Sequence, residues 1–197
     1  MTRIVAGTAG GRRLQTPPGL DTRPTTERVR EALFSSLESA LGLVEARRFL
    51  DLYAGSGAVG LEALSRGAEA ATLVERDRRA ARLIRHNAQA LGLTGWRVVG
   101  EPVRSFVRGR ADAPYDVVFV DPPYATSGRE LTVVLTDLLS GGWLTDDAYV
   151  VLERSRRDPA PEWPDGIEPL RERRYGETLL WYGRRAGDPN EKENHGA

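Results

Sequence analysis

The chain has 197 residues, a length that suits one domain able to bury about 70% of its unfolded surface. Hydrophobic residues make up 40% and charged residues 28%, and 28 basic against 28 acidic side chains give a formal net charge of +0, so any nucleic-acid-binding surface must be local. With no cysteine, disulfides and thiolate metal sites are excluded; His86 and His195 are too few for a typical zinc site, and no apolar run of about 18 residues marks a membrane span.

MTRIVAGTAGG lacks the apolar core of a signal peptide, so a cytoplasmic location is the default expectation. Lys192 is the only lysine. Arginine's planar fork suits bidentate phosphate contacts, although codon bias accounts for the same excess.

Residues 1–24 read as a segment of their own. Arg3–Ala6 and Arg12–Gln15 are short strand-like runs separated by Gly7, Gly10 and Gly11, the pattern of a hairpin, and Pro17, Pro18, Gly19 and Pro24 then punctuate a loop. Residues 1–30 carry six arginines (3, 12, 13, 23, 28 and 30) against Asp21 and Glu27, a local net charge of +4 that fits either phosphate contacts or a solvated terminus. A helix capped by Thr25 or Thr26 follows, with Val29, Leu33, Leu37, Leu41 and Val44 as its apolar stripe.

From Phe49 the pattern alternates. Phe49–Tyr53, Ala71–Glu75, Trp96–Val99, Tyr115–Val120 and Ala148–Leu152 read as strands. Helices are expected over Gly57–Arg66, from a cap at Asp77 to Leu91, over Val103–Arg108 and over Arg129–Leu139. This is the signature of a parallel sheet covered by helices on both faces. Arg171–Tyr175 and Thr178–Tyr182, joined at Gly176, read as a hairpin at one sheet edge, and the polar residues 186–197 as a disordered tail.

Two motifs carry chemistry. Gly55–Gly60 is a G-x-G-x-x-G turn, weak evidence alone, and Glu75 ends the next strand where an acid can hold ribose hydroxyls. Asp51 separates the readings. A carboxylate at that turn would repel a dinucleotide's pyrophosphate and attract the ammonium of a methionine moiety, which favours a sulfonium cofactor carrying adenosine over NAD. Glu101, Pro102 and Val103 stand where a side chain and a backbone N–H could meet adenine.

The second motif, Asp121-Pro122-Pro123-Tyr124, directly follows the apolar run Val117–Val120. An exocyclic amine is a poor nucleophile because its lone pair is delocalised into the ring. Asp121 and the Pro122 carbonyl can accept both amine hydrogens and orient the nitrogen, while Tyr124 offers a face for a flipped base.

These residues resemble the Rossmann-like class I methyltransferases, and more closely the bacterial 16S ribosomal RNA guanine-N2 methyltransferases of the RsmD type. The likeness spans nearly all of residues 1–183. It rests on Arg3, Ile4, Gly7 and Gly11–Arg13, on R-P-T-T-E-R-V-R-E-x-L-F at Arg23–Phe34, and on D-L-Y-A-G-S-G-x-x-G-L-E-A-L-S-R-G at Asp51–Gly67. V-E-R-D, F-V-D-P-P-Y and R-x-Y-G-x-T at Arg173–Thr178 complete it.

The resemblance implies a seven-stranded, mostly parallel α/β sheet in the order 3-2-1-4-5-7-6, with residues 25–185 as the methyltransferase domain behind a hairpin arm. It implies S-adenosyl-L-methionine as cofactor, held by Asp51, Tyr53, Ala54, Gly55, Gly57, Glu75, Arg76, Val103 and Asp121, with Asp121, Pro122, Pro123 and Tyr124 catalytic and no metal. Arg3, Arg12, Arg13, Arg23, Thr25 and Arg28 would meet RNA. The implied partner is 16S ribosomal RNA in an assembling small subunit, methylated at guanine 966 by a monomer. Glu101-Pro102 departs from the small polar residue the family often has there. Other readings of the same residues are methylation of adenine N6 or of a protein glutamine, a silent RNA-binding module that kept the fold, and an NAD-dependent oxidoreductase. Neither histidine is placed to relay a hydride.

Overall fold

A computed structural model of the chain describes residues 2–16, 26–42 and 47–187. Arg23, Thr25, Val44, the proline-punctuated loop and residues 188–197 of the tail lie outside the described residues.

The N-terminal hairpin consists of β1 (Thr2–Arg3) and β2 (Arg13–Leu14), paired antiparallel. It then leads to α1 (Glu27–Leu41), whose cap is Thr26, its hydroxyl accepting the Val29 N–H. Alternation follows: β3 (Arg48–Leu52), α2 (Ala58–Ser65), β4 (Ala70–Val74), α3 (Arg78–Leu91), β5 (Trp96–Val99), α4 (Val103–Val107) and β6 (Tyr115–Val120). After α5 (Gly128–Ser140) come β7 (Leu144–Ser155), β8 (Ile167–Tyr175) and β9 (Thr178–Arg185).

The large sheet has the order β5-β4-β3-β6-β7-β9-β8. Numbered from β3, that is 3-2-1-4-5-7-6. β9 is antiparallel to both neighbours and inserts between β7 and β8, so the C-terminal hairpin adds one antiparallel strand and returns the edge strand to the common direction. All other pairings in this sheet are parallel.

Two cores fill the two faces, because successive strand side chains point to opposite sides. Phe49, Leu73, Val117 and Phe119 pack with α1, α2 and α3, whereas Leu50, Leu52, Val118 and Val120 pack with α4 and α5. Asp51 shares the face of Phe49 and therefore lies beneath α2.

The last strands run longer than their sequence pattern shows. β7 begins at Leu144, where a register shift and the left-handed Asp147 break the apolar alternation, and it carries Glu153 and Arg154 into the ladder opposite Leu180 and Leu179. β8 is an exposed edge strand with a second register shift at Pro169, so it shows almost no apolar period to read.

The hairpin is docked rather than hanging free. Ile4, Ala9 and Leu14 belong to the α1–α3 core. Glu62 of α2 accepts the Val5 and Ala6 N–H groups at 2.7 and 2.9 Å, and Gly7 approaches so closely that a Cβ there would sit 1.8 Å from the Ser65 carbonyl oxygen.

Candidate active site

β3 and β6 are neighbours, and their chain ends diverge toward different connections, the point where open α/β sheets bind ligands. Leu52 pairs with Val120, and the Asp121 N–H donates to the Leu52 carbonyl at 3.3 Å. The glycine turn after β3 and the Asp-Pro-Pro-Tyr turn after β6 therefore open side by side, although they lie far apart in the chain.

The cradle turn departs sharply from the strand. Tyr53 adopts φ 64°, unusual for a residue with a side chain, and Gly55 and Gly57 follow at 55° and 78°. At Gly57 a Cβ would lie 2.9 Å from Ile84, so glycine there lets α2 begin against α3. At Gly55 a Cβ would meet nothing nearer than the Tyr53 carbonyl oxygen at 4.0 Å, which leaves that surface open to a ligand. The Ala54 N–H is tied to the Val74 carbonyl at 3.0 Å, fixing the turn to β4.

Glu75 stands half-buried beside this turn. One carboxylate oxygen accepts the Gly55 N–H at 2.9 Å and the other the Asp77 N–H at 2.8 Å. Arg76, next in the chain, is exposed. Asp51 is buried under α2, where its carboxylate accepts the Gly60 N–H at 2.9 Å. Burial pushes its carboxyl up to about 7 despite that hydrogen bond, and the negative charge of Glu75 adds to the shift. Asp51 thus acts from below the turn rather than projecting out of it.

Val103 is buried at the first position of α4, where backbone N–H groups lack helical partners. Glu101 borders a different hollow, of about 390 Å³, shared with Trp96, Arg97, Tyr115 and Trp143.

The Asp-Pro-Pro-Tyr turn is rigid. Pro122 is buried, the Thr126 N–H donates to the Pro123 carbonyl at 2.8 Å, and Ser127 forms a reciprocal capping box with Glu130 at the start of α5. Tyr124 stands out at 66% exposure, an apolar ring offered to solvent at the mouth. Arg154, only 9% exposed, donates two nitrogens to the Thr126 carbonyl at 3.3 and 3.4 Å and pairs with Asp158 at 3.0 Å. Its role escaped sequence reading because it lies two residues beyond the apolar run that marked the strand.

The arm arginines divide. Arg12 donates to the Leu91 carbonyl at 2.8 Å and to the Ala90 carbonyl, capping the C-terminus of α3. Arg30, counted with the basic arm on sequence, is 0% exposed: it pairs with Glu62 at 3.9 Å and donates to Thr2 and to the Arg3 carbonyl. It belongs to the core, not to a phosphate-facing surface. Burial lowers its guanidinium pKa below the usual value. Arg3 pairs with Glu27 at 3.2 Å on the surface, and Arg13 and Arg28 are exposed. No cluster of metal-ligating side chains occurs among the described residues.

A family model described as conserved hypothetical protein 95 matches residues 2–184. Ribosomal RNA small subunit methyltransferase D of Escherichia coli (strain K12) is 39% identical over 176 residues, 89% of this chain and 86% of that protein. The putative rRNA methyltransferase YlbH of Bacillus subtilis (strain 168) is 33% identical over 179 residues, covering 89% and 95%. Among solved structures, the putative methyltransferase yhhF from Escherichia coli superposes with a TM-score of 0.83 at 34% identity, covering 94% of this chain and 98% of that one. A hypothetical protein of Thermus thermophilus gives 0.75 at 36% identity, covering 92% and 98%.

Proposed function

Because the chain belongs to the conserved hypothetical protein 95 family, that of the RsmD-type small-subunit ribosomal RNA methyltransferases, we propose that it is an S-adenosyl-L-methionine-dependent ribosomal RNA methyltransferase. Its acceptor is the exocyclic N2 of a guanine in 16S ribosomal RNA, guanine 966, presented on an assembling small subunit to a monomeric enzyme. The observation that carries this reading is the adjacency of an open glycine cradle and an Asp-Pro-Pro-Tyr turn at neighbouring strand ends.

The cradle fits the cofactor. Gly55 leaves room for it, Glu75 offers carboxylate oxygens to ribose hydroxyls, Asp51 supplies negative charge toward an ammonium group, and the Val103 N–H is free for an adenine edge. When bound, S-adenosylmethionine supplies a methyl group on a sulfonium that departs as a neutral thioether. Asp121 and the Pro122 carbonyl accept the amine hydrogens and aim the N2 lone pair, which forms the new N–C bond. The proton that N2 then loses is taken at the Asp121 carboxylate and passed to water. Tyr124 stacks on the extruded base.

The test is tritiated-methyl transfer to small-subunit particles and to naked 16S RNA. Asp121→Ala should reduce turnover by at least about 10²–10³-fold, while cofactor affinity read by calorimetry stays near wild type. Near-wild-type turnover in that variant would remove Asp121 from the reaction.

A further inference from the structure

The Asp-Pro-Pro-Tyr turn grips an amine, and guanine N2, adenine N6 and a glutamine amide all present one. Selection among them needs a group that meets a second atom of the acceptor. Beside Tyr124 lies a hollow of about 380 Å³ lined by Tyr124, Ser155, Arg157, Asp158 and Glu177. We propose that Arg157, held by Glu177, reads the O6 and N7 acceptors of the target guanine and selects it over other planar amines. The proposal rests on the acceptor reading above and names the residue that enforces it.

Arg157 sits in a built turn. Its N–H donates to the Ser155 hydroxyl at 3.2 Å, and the Ser155 N–H donates to the Asp158 carboxylate at 3.3 Å. Arg154 joins Asp158 to the Thr126 carbonyl, so the turn after β7 and the catalytic loop after β6 are tied through a single, nearly buried side chain. On the other side the Arg156 N–H donates to the Glu177 carbonyl at 2.9 Å, fixing the turn to the β8–β9 connection.

The side chains match the base. Glu177 pairs with Arg156 at 2.8 Å and with one terminal nitrogen of Arg157 at 3.7 Å, while the Arg157 side chain remains 80% exposed. The other donors of its fork have no acceptor among the described residues. An exposed ion pair of this kind contributes little to stability, so folding does not account for two arginines converging on one glutamate. Guanine carries O6 and N7 on one edge, the geometry an arginine fork meets in bidentate fashion; adenine has a donor at the O6 position, and a glutamine amide has no such edge.

The experiment compares reconstituted small-subunit particles whose acceptor nucleoside is guanosine or 2,6-diaminopurine riboside. Both offer an N2 amine, but the second replaces O6 by an amino group. Wild-type enzyme should favour guanosine, and Arg157→Ala should lower kcat/KM on guanosine by about 10- to 100-fold while leaving the diaminopurine substrate unaffected. Arg157→Lys, a point charge without the planar fork, should restore only part of the preference, and Glu177→Gln should weaken it without changing cofactor affinity. Equal losses on both substrates, or an unchanged preference, would overturn the role of Arg157 and leave the acceptor reading intact. Wild-type enzyme that methylates neither substrate would remove the acceptor reading and this proposal together.

Discussion

Asp51 shows how one buried carboxylate can couple ligand binding to pH. Its pKa is raised by burial to about 7, so in the unliganded protein it is largely protonated below neutrality. The folded pKa lies above the unfolded one, so its stabilising contribution is complete below the unfolded value, near 4, and disappears as pH rises through about 7. A cationic ligand group favours the ionised form. Binding of S-adenosylmethionine at about pH 6 should therefore release protons, measured by calorimetry in buffers of different ionisation enthalpy, and Asp51→Asn should abolish the release. Arg12 and Arg13, adjacent in the arm, are separable by substitution. Arg13→Ala should lower the salt slope of RNA binding by about one, whereas Arg12→Ala, which uncaps α3, should leave the slope alone and lower the melting temperature.

Among the elements, the hairpin arm gains a different meaning. Its glycines read on sequence as the turn of a hairpin, and Gly7 is required for a second reason, because the arm lies against the Ser65 carbonyl. Glu62, fully buried, gathers the Val5 and Ala6 N–H groups, Arg66 at 2.9 Å and Arg30 into one network that locks the arm to α1 and α2. Glu62→Ala removes the carboxylate counter-charge of the buried Arg30 and the acceptor of the part-buried Val5 and Ala6 N–H groups, and should cost about 3–5 kcal/mol, read as a shifted urea midpoint. Deleting the arm would for the same reason disturb the core, so point substitutions at Arg13 and Arg28 are the cleaner probes of RNA contact.

What was legible followed from periodicity and capping. Asp77 and Gly92 bracket α3 in sequence as in structure, and the apolar run Tyr115–Val120 names the strand covered on both faces. Arg30, Arg154 and Glu62 stayed hidden because charged side chains have no period; besides any local pairing, each binds a distant partner, Arg30 to Thr2, Arg154 to Thr126 and Glu62 to Val5, 28 to 57 residues away, and only the fold brings these together.

At the scale of the whole molecule, the order β5-β4-β3-β6-β7-β9-β8 is what converts two weak motifs into one site. Pairing β3 with β6 sets the glycine turn beside Asp121, and inserting β9 between β7 and β8 brings Glu177 to the turn that bears Arg157. Net charge of zero gives no general attraction to RNA, so any electrostatic attraction is local, and the proposed reading assigns it to exposed arginines together with the shape of the RNA. The identity of the methylated atom decides the function. Small-subunit particles methylated by the enzyme with labelled cofactor, digested to nucleosides and resolved by mass spectrometry, should carry the label in N2-methylguanosine from a single 16S position. Label in N6-methyladenosine, or in protein glutamine, would contradict the account.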